Sequence, residues 1–269
     1  MICSEGSSYE DILAAQRRQG LRSAVWTTLV VIIILGACAY VGLFDAGRLT
    51  EGLPSIAQLV REMLPPDFRA ARNWGRPLLD TVAMSVAGTA LAVALSFPLA
   101  LLAARNTTPH PLVYTLARGL LNILRTIPEL ILGILFVAAV GFGPLPGVLA
   151  LGLHSVGMVG KFFAEAVEHA DPAPVEAARA VGASPLQVIM HGILPQTLPK
   201  MADLIVYRWE YNFRASTVMG AVGAGGIGLQ LIASLRLMRY QEVSALLLVI
   251  LATVTVVDLL GASLRRRFK

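Results

Sequence analysis

Residues 23–44 run for 22 positions without a charge, and residues 81–104 do so for 24. A hydrocarbon core about 30 Å thick is crossed by roughly 20 apolar residues in helical form, because lipid offers no partner to backbone N–H and C=O groups. Runs this long predict membrane-spanning helices. The rest of the chain agrees, since 56% of its 269 residues are hydrophobic and only 14% are charged, a balance that belongs to an all-α polytopic membrane protein. The net charge of +5 comes mostly from arginines beside apolar segments, which is what orientation in a bilayer requires. It is not a sign of nucleic-acid binding.

Residues 1–22 read as a polar cytoplasmic segment whose Arg17, Arg18 and Arg22 precede the first span, residues 23–44. That apolar run is too long for a cleaved signal peptide and lacks its small-residue cleavage site. Residues 45–77 form an extracytoplasmic loop, with a short surface helix expected over 56–64. Five arginines against four acids in 45–76 run against the positive-inside tendency. The core, 78–264, continues with a second span at 81–104, a third at 112–142 containing Arg125 and Glu129, and a fourth at 148–169 with Lys161 and Glu165 at its inner end. The fifth starts near 194–199, carries Lys200, Asp203, Arg208, Glu210 and Arg214, and meets a glycine-rich run at 219–228. A re-entrant stretch at 230–239 and a sixth span at 242–264 follow. The basic tail, 265–269, places the C-terminus in the cytoplasm. Six spans with both ends inside is the expected topology.

Residues 171–195, DPAPVEAARAVGASPLQVIMHGILP, read as two short helices around a glycine. Asp171 can cap the first, with Pro172 preset for its first turn and Glu176 near its positive end; Gly182 suits a left-handed stop, and Ser184-Pro185 starts the second. Glu176-Ala177-Ala178, Gly182 and Leu194-Pro195 resemble the EAA loop of binding-protein-dependent ABC importer permeases. One departure is Gly192, where that loop usually has isoleucine. The resemblance implies a type I importer permease core whose loop docks in a cleft of a cytoplasmic ATPase. It also implies two ATPase subunits that carry ATP and Mg, a periplasmic binding protein, and a second permease subunit, expected to be an identical copy. The bacterial inner membrane is the implied location.

The glycine run contains Gly220, Gly223, Gly225, Gly226 and Gly228. Three of these spell G-x-G-x-x-G, but that pattern binds dinucleotides only between a strand and a helix. Here the glycines are expected to let helices pack closely and the chain bend, at a gate near the outer face. TVMGAVGAGGIG, preceded by YRWEYNFRAS, resembles phosphonate and phosphite import permeases; AVGAGGIG alone also resembles methionine permeases. No P-loop is present, so ATP hydrolysis falls to partners. His110, His154, His169 and His191 with Cys3 and Cys38 offer no metal-ligand spacing, and no catalytic site is expected.

Charges at bilayer depth cost about 2.5–3.5 kcal/mol on insertion scales and usually face a partner or a watery cavity. Glu210 and Arg214 lie four apart and are expected to neutralise each other. Arg125 and Glu129 are also four apart, with Pro128 able to kink the helix between them. Arg208 has no such local acid. The expected substrate path is therefore lined by Arg208 and Arg125, with Glu210, Arg214 and Glu129 nearby, guanidinium being suited to phosphorus oxyanions. Alternatives are ion pairs that only hold helices together, a methionine permease, an ion-coupled secondary transporter and a non-transporting scaffold.

Overall fold

The computed structural model describes residues 9–267, side chains 9–15, 48 and 49 excepted. Cys3, Phe268 and Lys269 lie outside them. Every regular element among the described residues is helical, and the chain divides into two compact units at Arg61/Glu62. The first unit holds α1 (Tyr9–Tyr40) and most of α2 (Ala46–Glu62). The polar residues after Tyr9 continue without a break into the apolar span, so they are its first turns. The surface helix expected over 56–64 begins at Ala46 and passes through Pro54.

The second unit is built around α6 (Pro144–Glu168), whose inner face is mostly glycine, alanine, valine and serine. Against it pack α3 (Gly75–Ala103), α4 (Pro111–Thr126), α5 (Glu129–Val140) and α9 (Leu194–Met219). Small residues set these distances, because lipid provides no hydrophobic drive and helices associate by close contact. A Cβ on Gly88 of α3 would lie 3.1 Å from Leu151 Cβ, and one on Gly157 would lie 2.7 Å from the Leu121 carbonyl oxygen. Ser96 adds a hydrogen bond from α3 to the Val156 carbonyl of α6, at 3.1 Å.

Among the described residues, four helical stretches are long and apolar enough to cross a membrane: Gln16–Tyr40, Ala71–Ala103, Pro144–Glu168 and Tyr240–Arg266 (the last being α11). Two bent pairs raise the number to six if each is one span. The third span is not one helix, as expected over 112–142, but α4 and α5 at 86° to each other. Pro128 cannot donate to the preceding turn and Ile127 before it is extended, with ψ 117°, so the helix ends and restarts. The second pair bends by 44° between Pro185–Val222 and α10 (Gly226–Arg236); the stretch expected to be re-entrant starts there, at Gly226.

Candidate functional site

Three parts of the second unit carry functional geometry: a polar cluster in its core, the glycine break and the helical knob. Arg208 on α9 is the centre of the first and is only 3% exposed. Its Nε donates to Ser155 Oγ on α6 at 2.8 Å, and its guanidinium carbon lies 4.2 Å over the ring of Tyr211, one turn on. Ser155 Oγ donates to Asn212 Oδ1 at 3.0 Å, and Asn212 Nδ2 donates to Thr89 Oγ1 on α3 at 2.9 Å. Thr89 ends the relay at the Ser85 carbonyl, at 2.7 Å. Three-helix convergence of this kind fixes side chains that sequence neighbours could not fix.

On the other side of Tyr211 stands Glu129, at the start of α5. The tyrosine hydroxyl donates to Glu129 Oε1 at 2.9 Å, and His154 Nε2 lies 3.5 Å from Oε2. His154 Nδ1 meets the Ile127 carbonyl at 3.0 Å, a group freed from the helical ladder by the break at Pro128. Kinking at Pro128 therefore aims Glu129 into the core and turns it away from Arg125. Arg125 is exposed at the end of α4, and the expected pairing of these two residues does not form.

Nor do Glu210 and Arg214 pair with each other. Glu210, 5% exposed, accepts from Arg265 Nη1 at 2.7 Å, and Arg214 Nη1 reaches Asp258 at 2.9 Å. An i,i+4 pair on a helix contributes only about 0.2–0.5 kcal/mol, whereas α11 offers each residue a partner of opposite charge at hydrogen-bond distance. Gly261 makes room for it: a Cβ there would collide with Glu210 Oε1. Both charges thus tie α9 to α11. Among the described residues Arg208 has no acid within ion-pair distance, and its Nη2 and the Trp209 indole nitrogen are buried atoms without a hydrogen-bond partner. An unmet buried donor costs about 1–3 kcal/mol.

In the glycine break, Gly223, Gly225 and Gly226 all have positive φ, at 93°, 78° and 72°. Gly220 and Gly228 serve close approach instead. A Cβ on Gly228 would collide with the Thr217 carbonyl oxygen, and one on Gly220 with the Leu229 amide. Thr81 of α3 anchors the break, its Oγ1 accepting from Ile227 N at 2.8 Å.

The knob starts with α7 (Pro172–Ala180), capped by Asp171 accepting from Ala173 N at 2.9 Å. Gly182 has φ 79°, and Ser184 and Gln187 form a reciprocal capping box at the start of α8 (Pro185–Gln187). Glu176 lies in the second turn of α7, away from the first-turn amides it was expected to complement. The second helix is not separate: α8 passes through a π-helical turn, Val188–Ile193, straight into α9. Leu194 and Pro195 therefore open the fifth span. Gly192 gains a reason here, since a Cβ would lie 3.3 Å from Val175 Cα, so the missing side chain lets α7 lie on the π turn. Gln196 closes the knob, accepting from Asp171 N at 2.8 Å and donating to the Gly192 carbonyl at 2.6 Å. Glu176, Ala177, Gly182, Val181, Leu186 and Met190 are left exposed.

A family model described as "binding-protein-dependent transport system inner membrane component" matches residues 96–269, which include the polar cluster from α6 and α9, the knob and the glycine break. The chain belongs to this family. Among relatives of this permease, the phosphite transport system permease protein PtxC of Stutzerimonas stutzeri is 62% identical, covering 98% of this chain and 100% of the relative. The phosphate-import permease protein PhnE of Mycolicibacterium smegmatis is 43% identical over 83% of this chain, which spans 42% of that longer relative. A solved structure of the MetNI methionine ABC transporter, inward facing, aligns with TM-score 0.63 at 21% identity over 73% of this chain and 96% of that one. At that identity the likeness concerns the fold.

Thr89, His154, Ser155, Tyr211 and Asn212 were not legible as one site in this permease sequence, because they come from three helices far apart in the chain. One signal was present: Tyr211 and Asn212 fall in the stretch YRWEYNFRAS that follows the fifth span's first turns.

Proposed function

We propose that this permease is the membrane subunit of an ATP-driven importer for phosphorus oxyanions of the phosphite type, with Arg208 in the anion path. The observation that carries the reading is the buried Arg208 guanidinium, held by Ser155 and Tyr211 with Nη2 left free. A planar donor with an unpaired edge matches a tetrahedral oxyanion, and 62% identity over nearly the full length of a phosphite permease supports that substrate class. Glu129 lies beside this path; Arg125, exposed at the end of α4, would meet the anion at its margin, while Glu210 and Arg214 hold α9 to α11. Two ATPases, binding ATP and Mg, dock on Glu176 to Gly182 of two copies of the chain, and a periplasmic binding protein delivers the anion at the outer face. Both termini are cytoplasmic. ATP-driven closure draws the knobs together, and the break at Gly220 to Gly228 gives way at the outer gate, an alternating-access cycle between two packings of one bundle.

The test is ATP hydrolysis by the permease reconstituted with its cognate ATPase and binding protein, with phosphite, methylphosphonate, phosphate and methionine added in turn. Phosphite is expected to stimulate hydrolysis several-fold and methionine not at all. Stimulation by methionine alone would leave an importer with the wrong anion path.

A further inference from the structure

We infer that the Glu129–His154 pair is a proton-binding site, and that a proton at this pair and a phosphorus oxyanion at Arg208 bind together. This rests on the anion-path reading above. The Ile127 carbonyl can only accept, so His154 Nδ1, 3.0 Å away, carries a hydrogen. In a neutral imidazole Nε2 is then a bare lone pair, and it faces a carboxylate oxygen of Glu129 at 3.5 Å. Two acceptors face each other there. One added proton converts this contact into a charge-assisted hydrogen bond.

The neighbours determine when that proton arrives. Among the described residues the charged and titratable groups facing the pair are Arg208 and Tyr211 from α9, with Tyr207 beside Arg208. α3 contributes only the hydroxyls of Thr89 and Ser85, and Arg125 of α4 is exposed. With no anion at Arg208, a proton on His154 puts a second positive charge across Tyr211 from the guanidinium, and like charges oppose each other. An anion on Arg208 Nη2 cancels that opposition, so each ligand raises the affinity for the other by the same factor. Loaded with its proton, the site presents Arg208, His154 and Glu129 with a net charge of one positive; without it the net charge is zero. A cluster without net charge has little hold on an anion.

The experiment measures uptake of labelled hypophosphite, a monoanion across the whole range, into proteoliposomes with saturating binding protein, from about pH 5 to about pH 8. Wild type is compared with His154→Gln and Glu129→Gln, each first checked for a monodisperse complex with the ATPase. Because every sample shares one binding protein and one ATPase, their own pH dependence cancels in the ratio of rates. Wild type is expected to exceed His154→Gln by about tenfold at the acid end, with the ratio falling toward one as the proton is lost at higher pH. Glu129→Gln, whose amide can donate to Nε2, is expected to lose the wild-type fall with pH. A ratio constant across the range in both variants means a structural role only and overturns the inference. Arg208→Gln separates the two readings: normal uptake in that variant removes the anion path itself, whereas impaired uptake with flat ratios for His154→Gln and Glu129→Gln removes only the proton site.

Discussion

Replacing Arg208 by glutamine is expected to lower maximal phosphite uptake by about 10- to 100-fold, the loss of one or two hydrogen bonds to a charged group, while leaving the folded complex at least as stable as wild type. The two halves of this expectation come from the same geometry. Among the described residues Arg208 sits in the core with Nη2 unmet and no carboxylate within ion-pair reach, so removing the charge relieves a desolvation cost and forfeits the Ser155 hydrogen bond and the contact with Tyr211. A residue retained for stability would behave in the opposite way. Arg208→Lys is expected to recover little, because an ammonium cannot reproduce the planar fork. Uptake rates and thermal melting in detergent check both halves. Normal uptake by Arg208→Gln, or a large fall in melting temperature, contradicts the assignment.

The second large effect is expected at Gly228. A side chain there would be driven into the Thr217 carbonyl, with the carbon of that carbonyl only 2.8 Å from the new Cβ; the opposing surface is backbone at the end of α9, which has no rotamer by which to yield. Gly228→Val is expected to cost more than the roughly 1–3 kcal/mol typical of an overpacked core, enough to prevent a stable monodisperse permease. Gly225→Ala is the informative contrast. Nothing lies closer than 3.6 Å to a Cβ at that position, so the penalty is the positive φ alone, about 1–2 kcal/mol. Thermal melting of the purified variants should therefore rank wild type above Gly225→Ala and Gly225→Ala far above Gly228→Val. Equal melting of the two variants would mean that the close crossing of α9 and α10 is not formed.

Local chemistry was legible in the sequence wherever a single backbone conformation decided the outcome. Asp171, Gly182 and Ser184 cap and stop the knob helices as their residue types require, and Pro128 ends α4. Lengths of apolar runs located the membrane helices for the same reason. What escaped was decided between helices. Glu210 and Arg214 stand one turn apart yet each bonds α11, 55 and 44 residues away, because a partner at 2.7–2.9 Å outweighs a flexible i,i+4 contact. Arg125 and Glu129 part because a kink that was foreseen turned into an 86° bend. The continuity of α8 with α9 was hidden for another reason: Gly192 in the π turn and Pro195 just after it read as helix breakers until α7 is seen lying against that turn. Arg208 was recognisable as a cation without a local acid, but its tyrosine, serine and asparagine surroundings needed the fold.

The most direct test of the account is uptake of radiolabelled phosphite by proteoliposomes containing this permease, its cognate ATPase and its binding protein, with ATP supplied only on the ATPase side. Accumulation is expected to require all three proteins and hydrolysable ATP, and to be unaffected when sodium and potassium gradients across the membrane are collapsed at constant pH. Accumulation without ATPase, driven by an imposed ion gradient, would contradict an ATP-driven importer and leave the knob without a purpose.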